Sequence, residues 1–302
     1  GSASAPAAAE KREAPAPAEQ APESAPPEAP AAAPPQCVAE YASDVLQSML
    51  RRQMPFMPRA NYMAGQAELN SKMRAILNDW LFEVHHKKYK MRRETLFLTV
   101  SIVDRYLSLR HISRDRLQLI GVAATLVAAK FEEIHPPEVS DLIYVTACTY
   151  SRQDILDTEM SIVNALGFQV ASPTAAHFLS HFQAAQKMSP ELESRRERSP
   201  LDGSPWDAES GDLAWYIMEL ALLDIRLIHF PPSHLAAAAL LLSNAISGCA
   251  PRWPDSLARA TGHPEAALRV CVGQLRGLLT EAPASELQAV QNHYRRSDRE
   301  ES

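Results

Sequence analysis

The sequence predicts an all-α chain, built as two successive five-helix units of about a hundred residues each behind a short helix. Three observations predict it. Apolar residues recur at helical spacing through segment after segment, and no strand pattern of period two is sustained anywhere. The 302 residues include only 10 Gly, while Ala and Leu abound, which favours helix. Proline recurs in the first turn of the predicted helices, at Pro173, Pro232, Pro254 and Pro264, where its missing N–H breaks no helical bond.

Residues 1–36 are mostly Ala and Pro and hold too few apolar side chains for a core, so a disordered tail is expected there. Gly1-Ser2 reads as an expression scar in front of a trimmed natural N-terminus. An N-terminal helix and linker occupy 37–68. The helix spans 38–53 with Tyr41, Val45 and Met49 at spacing four, and Pro55 and Pro58 end it. The first unit is 69–170, with helices at about 70–88, 92–109, 114–131, 138–147 and 152–166. Arg92-Arg93, Ser113, Pro136-Pro137 and Ser151 mark the breaks, and Gly167 is a C-cap candidate. The second unit, 171–282, opens at Ser172-Pro173 and carries helices at about 173–186, 210–228, 232–248, 254–261 and 264–279. A polar segment, about 187–210, interrupts it as a mobile insertion. A last short helix, 284–295, lies within a C-terminal segment 283–302.

Composition removes several function classes. The net charge of −6 gives no global basic field for nucleic acid. Cys37, Cys148, Cys249 and Cys271 stand apart without a CxxC pair, as expected of reduced thiols. The longest apolar run, Leu235 to Leu242, falls far short of the ~20 residues of a membrane span. No Ser/His/Asp set and no Gly-rich phosphate loop is evident, so no catalytic residue is assigned. His85 and His86 have no second ligand at metal spacing and are expected on a helix surface, so no metal and no cofactor are assigned.

The segment Met73–Leu81 has two apolar faces where one would do. Leu77, Leu81 and Val84 make an ordinary core stripe. Met73, Ile76 and Trp80 make a second stripe, which means either a fully buried helix or a docking surface. Two charges stand on apolar helix faces: Lys130 beside Leu126 and Val127, and Glu159 between Ile155 and Ile162. They either pair with each other or rim an apolar surface and present charged hydrogen bonds to a partner. Arg74 and Asp104, amid core-facing helix sequence, suit a buried bidentate pair that Lys would not reproduce.

Met73-Arg-Ala-Ile-Leu-Asn-Asp-Trp-Leu81 resembles the MRAILxDWL motif of cyclins, and Lys130-Phe-Glu-Glu-Ile-His-Pro-Pro-Glu138 resembles their SKFEExxPPE motif. The resemblance runs from about Glu40 to Tyr294. Thr99–Tyr106 and His229–Ala236 are most similar to the B-type, mitotic branch. It implies two tandem five-helix cyclin boxes preceded by a short N-terminal helix, and a non-catalytic activator of a Ser/Thr protein kinase. Such a subunit forms a heterodimer with a mitotic cyclin-dependent kinase, pushes its αC helix inward and frees its activation segment. Lys130 and Glu159 match the family pair that bonds the kinase backbone. Val127, Phe131, Glu133, Met160, Val163, Phe168 and Val170 match contacts around it, and Tyr41, Asp44 and Val45 match the kinase-touching N-terminal helix. Met73, Ile76, Trp80, Leu117 and Gln118 match the hydrophobic patch that docks Arg-x-Leu segments of substrates or inhibitors, with Glu83 suited to the basic residue. Arg74 and Asp104 match an internal salt bridge, and Leu119 a core position beside it.

The resemblance also implies residence in nucleus and cytoplasm, with neither nucleic acid nor membrane as a partner. Residues 1–36 carry no Arg-x-x-Leu destruction box, which mitotic cyclins normally have. The rival within the same fold is an adaptor or scaffold without kinase activation, including a general transcription factor of the TFIIB type. The −6 charge and the missing CxxC count against the latter. The basic run Lys87–Arg93 is expected to be solvated surface. Ser189-Pro190, Ser199-Pro200 and Ser204-Pro205 are minimal proline-directed phosphorylation sites.

Overall fold

The computed structural model describes Gly1, residues 41–187 and residues 206–300, the side chains of 206–211 and 296–300 excepted. Residues 2–40, which hold the rest of the tail and Cys37, and the stretch 188–205 of the insertion, with its Ser-Pro pairs, lie outside the described residues. Ser43 onward forms one compact unit and Gly1–Ala42 another. No strand occurs among the described residues.

The short helix α1 is Ala42–Gln53. The first box contains α2 (Ser71–Glu83), α3 (Arg93–Leu107), α4 (Leu117–Glu132), α5 (Val139–Val145) and α6 (Arg152–Ala165). The second contains α7 (Ala175–Lys187), α8 (Trp206–Ala221), α9 (Pro232–Ile246), α10 (Asp255–Thr261) and α11 (Glu265–Glu281), and α12 (Ala289–Glu300) follows. Local chemistry sets the starts. The Asn70 side chain accepts from Met73 N at 2.9 Å and caps α2. Ser151 and Asp154 form a reciprocal capping box on α6. Pro232 is the first residue of α9, whereas Pro254 and Pro264 sit one position earlier, with extended ψ, just before α10 and α11.

Each box wraps one central helix. α4 is buried from Leu117 to Ala129 save for Gln118, and α3 and α6 pack against it. α9 is the counterpart, surrounded by α7, α8 and α11. Both are apolar all round, as a helix buried on every side must be. Gly121 lets α2 approach α4: a Cβ there would come within 2.8 Å of Leu77 Cδ1. One core cluster fills the second box around Phe178, Phe182 and Leu242, and takes in Leu46 of α1 and Phe97 of α3. Another joins Leu81, Leu96 and Ile102 of the first box to Leu220, Ala282 and Val290. α12 returns to pack on α2 and α8, bracing the boxes together.

Four local expectations are corrected. The helix expected over 210–228 begins at Trp206, inside the expected insertion, and ends at Ala221. The carbonyl of Leu222 instead accepts from Arg74 Nη1 at 3.0 Å and Asn78 Nδ2 at 2.7 Å. The α-helix expected to reach 88 stops at Glu83 and continues as a wider π turn, Val84–Tyr89. That turn carries His85 and His86 inward, so neither lies on a surface. His85 is fully buried, its Nδ1–H donating to Leu81 O at 2.9 Å, and burial pushes its pKa down to about 4. The basic run is split as well. Lys87, Lys88 and Lys90 are exposed, while Arg93 reaches Glu219 (3.5 Å) and lies over the Trp215 ring at 4.8 Å.

Candidate partner-binding surfaces

The C-terminus of α4 lies beside the middle of α6, and there Lys130 Nζ donates to Glu159 Oε1 at 2.6 Å. The ammonium is half exposed and the carboxylate largely covered, at 50% and 17%. An ion pair in such a place is worth about 0–1 kcal/mol, so exchanging it for bonds to a partner costs little. Large apolar side chains stand open beside it in sequence: Phe131 at 53% and Met160 at 58% exposed. Phe168, at 71%, lies just past α6 with φ +61, a left-handed conformation rare for a bulky side chain. Gly167, at φ +58, shares that turn, and Phe168 N donates to Val163 O at 2.9 Å. Val163 and Val170 are half-buried against the first-box core. Asp44 and Val45 on α1 are exposed, as is Tyr41 in the preceding unit.

Two of the expected contact residues do other work. Val127 is 5% exposed and belongs to the first-box core, because α4 has no solvent face at that position. Glu133 Oε1 accepts from Arg92 N at 2.8 Å and from Thr95 Oγ1, so its carboxylate satisfies the start of α3. Sequence spacing cannot reveal that second role, since the partners lie 41 and 38 residues away.

The second stripe of α2 is an open surface with a partly buried margin. Ile76 is 48% exposed. Met73 packs on the first-box core, and Trp80 wedges between that core and the smaller cluster of Leu119, Val122, Leu126, Leu142 and Ile155. Leu117, expected in the patch, is 7% exposed and forms its floor, while Gln118 is partly exposed. Glu83 accepts from Lys87 one turn on. Asp79, whose pKa burial raises, accepts from Ala289 N at 3.1 Å and ties the patch helix to α12. Leu119 belongs to the small cluster on which Trp80 packs, whereas Tyr62 and Leu77 belong to the first-box core.

Arg74 and Asp104 form a bidentate pair, Nε–Oδ1 2.7 Å and Nη2–Oδ2 2.7 Å, both nearly enclosed. Tyr62 OH donates to the same carboxylate at 2.6 Å, and burial pushes its pKa far up. Arg74 Nη1 spends its remaining donor on Leu222 O across the box junction. Tyr62, Asn78 and Leu222 are therefore structural partners that the motif spacing misses. A Tyr that opens a four-residue 3-10 turn, Tyr62–Gly65, gives no sustained periodic signal.

The comparisons with known proteins agree with this architecture. The cyclin N-terminal domain matches residues 44–171 and the cyclin C-terminal domain residues 173–302. The G2/mitotic-specific cyclin-B of Patella vulgata is 36% identical over 86% of this chain and 59% of its own length. That of Marthasterias glacialis is 35% identical over 86% and 62%. The G2/mitotic-specific cyclin-A of Hydra viridissima is 36% identical over 85% and 57%. The chain thus spans less than two thirds of these relatives, and A-type and B-type relatives match equally well. Among solved structures, a viral cyclin from herpesvirus saimiri aligns with TM-score 0.65 at 21% identity, over 78% of this chain and 97% of that one. A chain of the CAK complex of Chaetomium thermophilum bound to ATP-gamma-S aligns with TM-score 0.51 at 14% identity, over 85% and 78%. At those identities the two structures speak for the fold alone. The tandem all-α boxes, the two sequence motifs and the two domain matches place the chain in the cyclin family.

Proposed function

We propose that this chain is a non-catalytic regulatory subunit that binds and activates a cyclin-dependent kinase of the mitotic type as a heterodimer. The observation that carries this reading is the surface around Lys130 and Glu159. It leaves Phe131, Met160 and Phe168 open beside an ion pair that is cheap to exchange. In this reading the apolar side chains bury against the kinase αC region. The ammonium and carboxylate turn from each other to the kinase backbone, and the helix moves inward. Binding energy spent on the active arrangement shifts the kinase population toward it. Val127 and Glu133 support this surface from within rather than touching the partner.

The same subunit recruits Arg-x-Leu segments through Ile76, Met73 and Trp80, over the floor of Leu117. Burying one leucine there is worth roughly 1.5–3 kcal/mol, which suits reversible docking. Purified kinase is assayed with the native chain and with Lys130→Ala/Glu159→Ala. The reading expects activation by the first and its loss with the second, which keeps its helical content. Full activation by the double variant would refute the assigned surface.

A further inference from the structure

On the far box, α9 and α11 leave a cavity of about 320 Å³ between them, lined by Leu241, Ala245, Val272 and Gly273 together with Arg252, Arg269 and Arg276. Arg269 and Arg276 stand seven residues apart, two turns along one face of α11. Between them Gly273 leaves the helix surface bare: a Cβ there would meet nothing within 4 Å. Arg252 Nη2 and Nε reach Glu265 Oε1 at 2.6 and 3.1 Å. Arg269 and Arg276 have no ion-pair partner among the described residues. The cavity wall therefore carries three guanidinium groups and the carboxylate of Glu265, a local positive excess on a chain whose net charge is −6.

We propose that this cavity is a docking site for a phosphorylated serine or threonine in an extended segment of a partner protein, with an apolar side chain of that segment seated against Leu241 and Val272. The charge match selects phosphate over carboxylate. Arg269 and Arg276 supply two unpaired positive charges, and a phosphomonoester carries about −1.5 to −2 near neutral pH, whereas a carboxylate carries one. The planar guanidinium forks suit tetrahedral phosphate oxygens. Leu241, Ala245 and Val272 supply an apolar floor that a free phosphate would not use. Glu265 acts as a brake, holding Arg252 until a phosphate competes for it.

The test uses the full chain and two peptide libraries, one with a fixed phosphoserine between degenerate positions and the other with plain serine there. Binding is read by fluorescence anisotropy. The proposal expects the phosphoserine library to bind and the serine library not to. Arg269→Gln/Arg276→Gln should weaken binding roughly tenfold or more. Glu265→Gln should strengthen it a few-fold. Arg51→Gln/Arg259→Gln, which removes the same charge from exposed positions elsewhere, should leave it unchanged. Equal weakening by the control pair would mean general electrostatics and overturn the site. So would equal binding of both libraries, no binding of either, or tighter binding of a single-stranded oligonucleotide lost in the same double variant.

Discussion

A buried arginine is tolerable only when its nitrogens have partners, and each of the three in Arg74 donates once, Nε and Nη2 to Asp104 and Nη1 to the carbonyl of Leu222. Asp104→Ala would leave that guanidinium enclosed and uncompensated. We expect a loss of about 3–5 kcal/mol in denaturant unfolding, and a loss under about 1 kcal/mol would mean the cluster relaxes to solvent. The pair itself was legible in the sequence, because two charges on core-facing helix positions had to meet something. Tyr62 and Leu222 were not, since one lies on a linker and the other contributes only a backbone oxygen. Phe168 presents the opposite case, a strained residue that is open to solvent. Phe168→Gly relieves the left-handed backbone and should raise stability by up to about 1 kcal/mol. The same change should weaken kinase binding. A loss of stability would contradict the strain, and unchanged kinase binding would remove Phe168 from the partner surface. Ile76 offers a cleaner probe of the proposed docking patch than Trp80, because Trp80 also fills space between two core clusters. Ile76→Ala should weaken phosphorylation of Arg-x-Leu substrates several-fold and spare short peptides without the motif. Equal loss on both would mean the change acts through folding or kinase binding.

Although the last helix, expected over 284–295, spans Ala289–Glu300, most helix positions are legible to within a few residues, because capping and proline signals are local. Ser151 at the start of α6 shows why: its side chain and that of Asp154 satisfy each other's backbone within one turn. Ser151→Ala should cost about 1 kcal/mol of stability while kinase activation persists. A larger loss of activation than of stability would mean the cap positions Glu159 directly. The failures came where an element answers to distant residues. α8 stops at Ala221, where Arg74 and Asn78 of α2 bond the next carbonyl, 148 and 144 residues away in sequence. The π turn after α2 carries two adjacent histidines inward, and the helical period of 3.6 has no place for that. The sequence allows Lys130 and Glu159 to be either a structural pair or the rim of a partner surface. They pair, on an exposed surface, and the geometry is compatible with both readings.

At the scale of the whole molecule, buried histidines in the π turn after α2 and before α11 give the fold a common response to acid. Burial pushes His85 and His263 down to about 4 and His86 to about 3, from an ordinary 6.5. Each is neutral in the fold and takes up a proton on unfolding. Their contribution is therefore complete above pH 6.5 and is lost as the pH falls toward 4. Glu219, pushed up to about 7 by burial, works in the opposite direction between 4.5 and 7. Burial lowers His181, His234 and His293 as well, so the histidines outweigh Glu219 and set the sign. The denaturation midpoint should fall steadily from about pH 7 to about pH 5, and His85→Gln should flatten the fall; a midpoint that rises over that window would contradict the assignment.

The central claim concerns what this fold does to a second protein. The measurement that tests it most directly is the activity of a purified mitotic cyclin-dependent kinase with and without this chain, at saturating ATP and a histone-type substrate. The account predicts strong stimulation by the native chain and basal activity with Lys130→Ala/Glu159→Ala. Stoichiometric binding without stimulation would contradict it.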